Sequence, residues 1–493
     1  MNPLLRTLAC LAVLPASAAL AQRPTPAVPT QTGPTPPRTW VDADTGHRIW
    51  RVTDEPGSSA FYFNVNDYSP DKRFMIYTAP DGIHTLELAT KKTRLLVPNP
   101  PVPPEAEKEP FGRFRYTNHT VVVGHKTDSV FFTRMDPATN RQVVYKADMV
   151  SGEVTKLSML PERASIATIN ADETLGAGVY NERPEDNGQE YGRNSSRVTK
   201  AGERERQPLF QPEDKGAMME RRLASHIPVT LFTVELATGK EHKLLEHSTD
   251  WDNHLLFSPT DPQLLMYCHE GPWQKVDRIW TIHTDGTGNQ LMHKRTMLME
   301  IAGHEFWGLD GETVWYDWQY PKGEDFFLAG IELKTGKRMA FHMQRDEWSI
   351  HFNLNQDLSL FVGDGGDPGQ VAHATDGEWI WLFHPQWITG GQGALDEPSF
   401  IKPGVFHGEH LVNMKHHNYR LEPNVRLSPD SKLVFFTSNM FGPSYVFAVE
   451  TDKAAPGAKD IKSTPELGRV YGPDPLPTNC TGNKGTPCNA IAR

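Results

Sequence analysis

The chain of 493 residues carries 61 acidic and 50 basic side chains, which gives a formal net charge of −11. This acidity, with no basic stripe along the chain, argues against nucleic-acid binding because phosphate backbones are repelled by it. Aromatic residues make up 10% of the chain, beside 39 glycines and 40 prolines. Such a composition excludes a disordered chain and a helical bundle, and it favours short strands joined by turns.

The N-terminal sequence predicts an exported protein. Residues 1–21 contain an apolar run from Leu8 to Leu14 and end in small residues at Ala21, a pattern typical of a cleavable signal peptide. The apolar run is too short to span a bilayer. Residues 22–38 are rich in Pro and Thr and predict a disordered linker. We therefore expect a periplasmic or secreted protein.

Residues 39–452 repeat one pattern, in which an alternating strand, a turn centred on an aspartate and a second alternating strand follow one another. The pattern occurs seven times, at residues 64–78, 121–133, 167–179, 253–268, 305–318, 351–364 and 424–438. A third strand follows most copies, and the turns at residues 237–240 and 334–337 lead into a fourth, edge-like strand. This recurrence predicts an all-β fold, a seven-bladed β-propeller, rather than a pair of β-sandwiches. Pairing of residues 47–53 with the strand that ends at Glu450 would remove the free sheet edges.

Two segments depart from the repeat. Residues 182–226 insert charged sequence into the third blade, with a predicted helix at 216–224, and form either a lid or a plain surface loop. Residues 453–493 form a C-terminal tail in which Cys480 and Cys488 can close a small disulfide in an oxidising compartment. The remaining cysteine after cleavage, Cys268, lies in an apolar strand-like run and is expected to be buried.

Histidines indicate where a site lies. His254, His304 and His351 begin strands of three consecutive repeats, so they are expected to converge on the propeller axis, although each alone is also compatible with a structural role. A second cluster near the last repeat contains His407, His410, His416, His417, Glu422 and Asn424. Imidazoles mixed with carboxylate and amide oxygens suit a divalent transition metal such as manganese. A solvated rim loop is the alternative for His407 and His410.

A third group consists of His269 and Glu270, followed by Arg278. The planar guanidinium of an arginine matches a carboxylate with two parallel hydrogen bonds, so Arg278 is a candidate to bind an acidic ligand. The alternative is an ion pair with Asp277 or another neighbour.

These motifs resemble those of the oligogalacturonate lyases, pectin-degrading enzymes with a seven-bladed propeller. The resemblance rests on the sequence HEGP at 269–272, VDRIW at 276–280, HEFW at 304–307, His351 with LSLFVGDG at 358–365, and FTS at 436–438. The motifs occur in the order and with the spacing of that family. The resemblance implies a polysaccharide lyase of pectin catabolism that uses manganese.

The resemblance also implies roles for individual residues. It makes His304 the catalytic base, Arg278 the ligand of the substrate carboxylate and His351 a metal ligand. The other family ligands are a Gln, near whose position this chain has Tyr419, and a His-Pro-His pair. The pair is replaced by the sequence EPN at 422–424.

Two readings of this replacement are open. In the first, Glu422 and Asn424, with His417, join His351 in binding a divalent cation, manganese or calcium. In the second, the site has lost the metal and binds the sugar directly. We favour the first.

The predicted reaction is β-elimination on an acidic, uronic-acid-containing oligosaccharide. Arg278 and a cation at His351 neutralise the carboxylate beside C5, the neutral imidazole of His304 removes the C5 proton, and O4 leaves to give a 4,5-unsaturated product. The substrate is expected to contact His254, His269 and Tyr419, and the acid is a water, His254 or Tyr419. The alternative is a non-catalytic propeller that binds an oligosaccharide or a protein partner. A hydrolase function is not supported, because the sequence shows no pair of carboxylates of the kind that glycoside hydrolysis requires.

Overall fold

The computed structural model describes residues 36–108, 113–183, 196–198, 204–206, 212–366, 370–372, 374–375, 377–390, 397 and 399–456. The predicted signal peptide, nearly all of the predicted linker, and most of the predicted tail, including Cys480 and Cys488, lie outside the described residues.

Antiparallel sheets follow one another in the first half of the chain. Strands β1 (Thr39–Val41) and β2 (His47–Arg51) come first and join the last sheet. The next sheets comprise β3 (Phe74–Ala79), β4 (Gly82–Glu87) and β5 (Lys92–Pro98), then β6 (His119–Val123), β7 (Ser129–Asp136), β8 (Arg141–Asp148) and β9 (Val154–Met159). The third repeat forms β10 (Ile166–Ile169), β11 (Leu175–Asn181), β14 (Val229–Glu235) and β15 (Glu241–Ser248), with the hairpin β12 (Ser196–Val198) and β13 (Arg204–Arg206) in the insert.

The second half continues the same arrangement. One sheet contains β16 (Trp251–Phe257), β17 (Leu264–Glu270), β18 (Ile279–His283) and β19 (Gln290–Leu291). An eight-stranded sheet joins β20 (Ile301–Trp307), β21 (Thr313–Gln319), β22 (Phe326–Glu332) and β23 (Arg338–His342) to β24 (Phe352–Leu354), β25 (Phe361–Gly363), β26 (Trp379–Trp387) and β27 (Ile401–Asn413). The last strands are β28 (Arg426–Leu427), β29 (Leu433–Ser438) and β30 (Tyr445–Lys453).

The chain closes as the sequence predicts. Strand β2 pairs antiparallel with β30, so that Ile49 lies opposite Val449, and both side chains are fully buried. The eight-stranded sheet consists of two four-stranded halves that meet through the parallel pair β23 and β27. The all-β propeller class is confirmed, and the number of blades stays a prediction.

The predicted aspartate turns owe their shape to side-chain hydrogen bonds. Ser69 donates its hydroxyl to Asp71 at 2.6 Å, and Asp71 in turn accepts the backbone N–H of Arg73 at 2.9 Å. Ser428 and Asp430 repeat the first of these bonds in the last sheet at 2.6 Å. Because the carboxylate replaces a backbone acceptor, contacts within the turn itself hold it closed.

The insert contributes one long helix to the described structure. Helix α2 (Pro212–Ser225) is longer than the predicted 216–224 and buries Met218 and Met219 against Trp251. The other helices are short: α1 (Pro104–Glu107) and a 3₁₀ helix (Arg113–Tyr116). None of the helices in the described part of the chain has the length and apolar character needed to cross a bilayer. Cys268 is fully buried, as predicted.

The closure predicts a stability effect. Replacing Ile49 by Ala leaves a cavity at the β2–β30 pair and should lower the free energy of unfolding by about 2–5 kcal/mol in urea denaturation. Val154→Ala in β9 is the control, since Val154 is 40% exposed. Equal losses for the two variants would show that closing strand β2 contributes nothing to the cooperative unit.

Candidate active site

Two of the predicted histidines occupy equivalent β-bulges on neighbouring sheets. His254 in β16 has φ +49°, His304 in β20 has φ +45°, and the strand register shifts at both positions. A positive φ is uncommon for histidine, and a bulge redirects the side chain that it carries. His351 lies immediately before β24 in the next repeat. Because the three histidines occupy similar positions in successive repeats, their imidazoles are directed towards the same region.

The aromatic rings show that the three histidines come together. The rings of His304 and His351 are 4.9 Å apart, and Phe63 stacks on His351 at 4.4 Å. The ring of Tyr62 lies near both His351 and His254, at 5.0 Å from the first and 6.3 Å from the second. We call these five residues the histidine cluster. Sequence reasoning missed Tyr62 and Phe63, although they precede the first repeat much as the histidines precede or begin theirs.

Each histidine of the cluster is paired with a carboxylate from the second strand of its own repeat or from just beyond that strand. The three pairs are His254 Nε2 with Glu270 Oε2 at 3.0 Å, His304 Nδ1 with Asp317 Oδ2 at 3.4 Å, and His351 Nδ1 with Asp364 Oδ2 at 2.8 Å. The Asp364 hydrogen bond fixes the orientation of the His351 imidazole and the role of its other nitrogen. The His304–Asp317 contact lacks hydrogen-bond geometry and acts through charge. Asp317 carried no sequence signal, whereas Asp364 lies in the VGDG segment.

His351 is the most enclosed member of the cluster. Burial alone would lower the pKa of its imidazole, but the Asp364 carboxylate, with Glu422 and Asp317, raises that pKa above its ordinary value. The Nε2 atom lies 3.2 Å from the Tyr62 hydroxyl and 4.0 Å from Glu422 Oε2. Burial, with Glu422 the next largest cause, also raises the pKa of Tyr62 well above its ordinary value.

Arg278 is buried beside the cluster and paired with protein carboxylates. Its Nη1 donates to Glu270 Oε1 at 2.8 Å, Nη2 lies 3.7 Å from Glu305, and its guanidinium lies 4.5 Å from the Trp273 ring. Although burial would raise it, the Arg278 charge holds the pKa of Glu270 well below its ordinary value. Asp277 pairs instead with Lys294 and Arg295. The Nε of Arg278 has no hydrogen-bond partner among the described residues.

His269 and Tyr419, expected to bind substrate, do not join the cluster. Strand alternation turns His269 to the face of β17 opposite Glu270, where its ring stacks on Trp280 at 4.6 Å. The Tyr419 hydroxyl donates to the backbone carbonyl of Asp364 at 3.1 Å. Tyr419 therefore supports the Asp364 segment from behind.

The four predicted metal ligands do not form one site. Both ring nitrogens of His417 are engaged, Nδ1 by Ser438 at 3.0 Å and Nε2 by the Leu421 carbonyl at 2.7 Å. The side-chain oxygen of Asn424 accepts the backbone N–H of Phe63 at 3.0 Å. Only Glu422, with its side chain 45% exposed, approaches His351. These residues do not fit a divalent metal, which needs more free donor atoms at one point.

A different group of possible ligands is also unsuited to a metal. Donor atoms of His254, Cys268 and Glu270 lie within 4.8 Å of one another. The Arg278 guanidinium already contacts this group, at 3.6 Å from Cys268 Sγ and 2.8 Å from Glu270. Burial raises the pKa of the Cys268 thiol well above its ordinary value, so the thiolate that metals prefer is disfavoured. The arginine supplies the positive charge here.

The two rim histidines lie apart in the long strand β27. His407 bonds to Gln386 at 2.7 Å, and His410 stacks on Trp379 at 4.0 Å. A cavity of about 320 Å³ adjoins the cluster at Phe63, and its lining includes Leu256, Phe306 and Asn353, each two residues after a cluster histidine.

Comparisons with known proteins find similarity to oligogalacturonate lyases. Residues 219–454, a little under half of the chain, match the family model described as oligogalacturonate lyase. The chain is 28% identical over 220 residues to an oligogalacturonide lyase of Pectobacterium atrosepticum and 28% identical over 222 residues to an oligogalacturonate lyase of Dickeya dadantii. Each alignment covers 43% of this chain and 53% of the relative, so the chain spans about half the length of the curated relatives it matches.

Solved structures show the same fold over more of the chain. An oligogalacturonate lyase in complex with manganese has a TM-score of 0.61 at 19% identity, and that of Vibrio parahaemolyticus has 0.60 at 18% identity. Both comparisons cover 84% of this chain and 96% of the other. The resemblance to the oligogalacturonate lyases is thereby confirmed.

The buried ion pairs of Arg278 predict a large loss of stability when the arginine is replaced. Arg278→Met leaves Glu270 and Glu305 buried without their cation and should lower the free energy of unfolding by about 3–5 kcal/mol in urea denaturation. Lys334→Met, which breaks an exposed pair with Glu312, is the control and should have no measurable effect. If Arg278→Met is as stable as the control, the pair is not a structural element of the site.

His417 predicts a pH-dependent contribution to stability. Burial lowers the pKa of its imidazole from 6.5 to about 4, so the unfolded chain binds the proton more readily than the folded one. Its contribution is complete above the unfolded pKa and is lost as the pH falls from about 6.5 towards 4, by at most about 1.4 kcal/mol per pH unit. His417→Asn should remove this slope from unfolding curves measured across that range. Exposed His384→Asn should keep it, and an unchanged slope in His417→Asn would contradict the assignment.

Proposed function

We propose that this protein is a lyase that cleaves uronic-acid-containing oligosaccharides by β-elimination. The observation that carries the proposal is the His304–Asp317 pair, held at the point where three sheets bring their histidines together. The confirmed resemblance supports the substrate class, because the similar proteins are named for oligogalacturonate. The pattern of residues 1–21 supports action in the periplasm or outside the cell.

We propose that His304 abstracts the proton from C5. Asp317 lies on its Nδ1, so Nε2 is the nitrogen that accepts the C5 proton, and the carboxylate stabilises the imidazolium that forms. The side chain of His304 is 11% exposed, between the rings of Trp273 at 4.8 Å and Phe63 at 6.1 Å. These rings exclude water from the proton-transfer step and strengthen the electrostatic interactions there.

Arg278 supplies the positive charge for the uronate. Its Nε–H lacks an acceptor among the described residues, and its Nη2 bond to Glu270 is long, at 3.5 Å. We propose that the substrate carboxylate binds this edge of the guanidinium while Nη1 keeps Glu270. Neutralising the carboxylate lowers the cost of the enolate-like charge that builds up as the C5 proton leaves.

A second candidate function is oligosaccharide binding without chemistry. It is favoured by the four predicted metal ligands, which do not form one site, because without a bound cation less positive charge is available to stabilise the enolate-like charge. Calorimetry would then show binding of galacturonate oligomers, and no unsaturated product would form.

The proposed function predicts a specific loss of product. The wild-type protein incubated with oligogalacturonate, glucuronan or ulvan fragments should generate the ultraviolet absorbance of a 4,5-unsaturated uronate. His304→Gln should reduce the rate by about 10²–10⁴-fold because the base is removed. His342→Gln, on the outer strand β23, should retain the rate.

A folded wild-type protein that gives no absorbance with any of these substrates, with or without manganese, would contradict the proposal. Full activity in His304→Gln would contradict the assignment of the base.

A further inference from the structure

The hydroxyl of Tyr62 meets the imidazole that the resemblance assigns to the metal. It lies 3.2 Å from His351 Nε2, while Asp364 holds Nδ1 of the same ring at 2.8 Å. The neighbouring Phe63 is fixed by its backbone bond to Asn424 and by stacking on His351. The contacts that position Tyr62 and Phe63 therefore also engage His351 Nε2 and the side-chain oxygen of Asn424, two donor atoms of the predicted metal site.

We propose that Tyr62 is the general acid of this site and that the site works without a divalent metal. The inference rests on the proposed lyase function and adds the group that protonates the leaving O4 oxygen. Of the two side chains that the sequence offered for this task, Tyr419 donates its hydroxyl to the Asp364 backbone, and His254 holds Glu270 through its Nε2. Tyr62 is a third candidate, and its hydroxyl contacts the imidazole of His351.

The position of Tyr62 suits this role. Its ring lies 6.3 Å from that of His254 and 5.0 Å from that of His351, and the His304 ring lies 4.9 Å from that of His351, so the base and the hydroxyl belong to one cluster. Tyr62 is partly buried. A tyrosine hydroxyl both donates and accepts a hydrogen bond, so it can give its proton to O4 while His351 stabilises the oxygen that remains.

The proposed step conserves protons and electrons. His304 takes the proton from C5, and the electrons of the C5–H bond form the C4–C5 double bond. The C4–O4 bond breaks, its electrons go to O4, and Tyr62 gives O4 its proton. After the products leave, the proton on His304 returns to the tyrosinate through water, so no oxidant, reductant or metal is consumed or required.

A comparison of two leaving groups tests the acid directly. The natural substrate loses a sugar alkoxide, which needs a proton, whereas a 4-deoxy-4-fluoro galacturonide loses fluoride, which leaves without one. Tyr62→Phe should reduce turnover of the natural substrate by about 10²-fold or more, and it should leave turnover of the fluorinated substrate unchanged. His304→Gln should lose both activities, because both eliminations need the base.

The control is Tyr68→Phe. Tyr68 lies in the same segment, and its hydroxyl is buried without a hydrogen-bond partner among the described residues. Its removal should change neither rate. Equal losses on both substrates in Tyr62→Phe would show a structural role, and an unchanged natural rate would show that another group is the acid. Either result overturns the proposal.

Metal content provides a readout that does not depend on activity. Wild-type protein dialysed after exposure to manganese should retain no stoichiometric manganese by elemental analysis. If the wild-type protein retains one equivalent of manganese and His351→Gln does not, the proposal of a metal-free site is overturned. Failure of the proposed lyase function can be told apart from failure of the Tyr62 proposal. In the first case the wild-type protein eliminates neither leaving group, and both proposals are wrong.

Discussion

The Asp364 carboxylate is the contact on which the site depends. It accepts the backbone N–H of His351 at 2.8 Å and the imidazole Nδ1 at 2.8 Å, and it also accepts the backbone N–H of Asn424 at 3.1 Å. Both Asp364 and His351 are fully buried, so these bonds replace water that the polar groups have lost. Three segments that are distant in sequence, those of Asp364, Asn424 and Phe63, are thereby held around one imidazole.

The propeller architecture supplies the rest of the site through repetition. A bulge in the first strand presents a histidine, and the second strand of the same hairpin presents the carboxylate that orients it, as His304 and Asp317 illustrate. Neighbouring sheets repeat the device, so the spacing between imidazoles follows from sheet packing. A scaffold of paired strands holds such groups more firmly than a surface loop does, which favours catalysis by positioned side chains.

The sequence alone predicted the architecture well because alternation and turn chemistry are local signals. The convergence of His254, His304 and His351 also followed from their equivalent positions. The metal site could not be predicted in the same way, because whether His417 points at His351 or at Ser438 depends on the path of a loop. Asp317 carried no local signal either, since its role arises only from strand pairing with the bulge at His304.

A crystal structure of the His304→Gln protein with a bound galacturonate trimer is the most direct test. We expect a uronate C5 within about 3.5 Å of the side chain at position 304, the Tyr62 hydroxyl at the glycosidic O4, and the carboxylate at Arg278. A sugar bound instead in the cavity lined by Leu256, Phe306 and Asn353 would contradict this expectation.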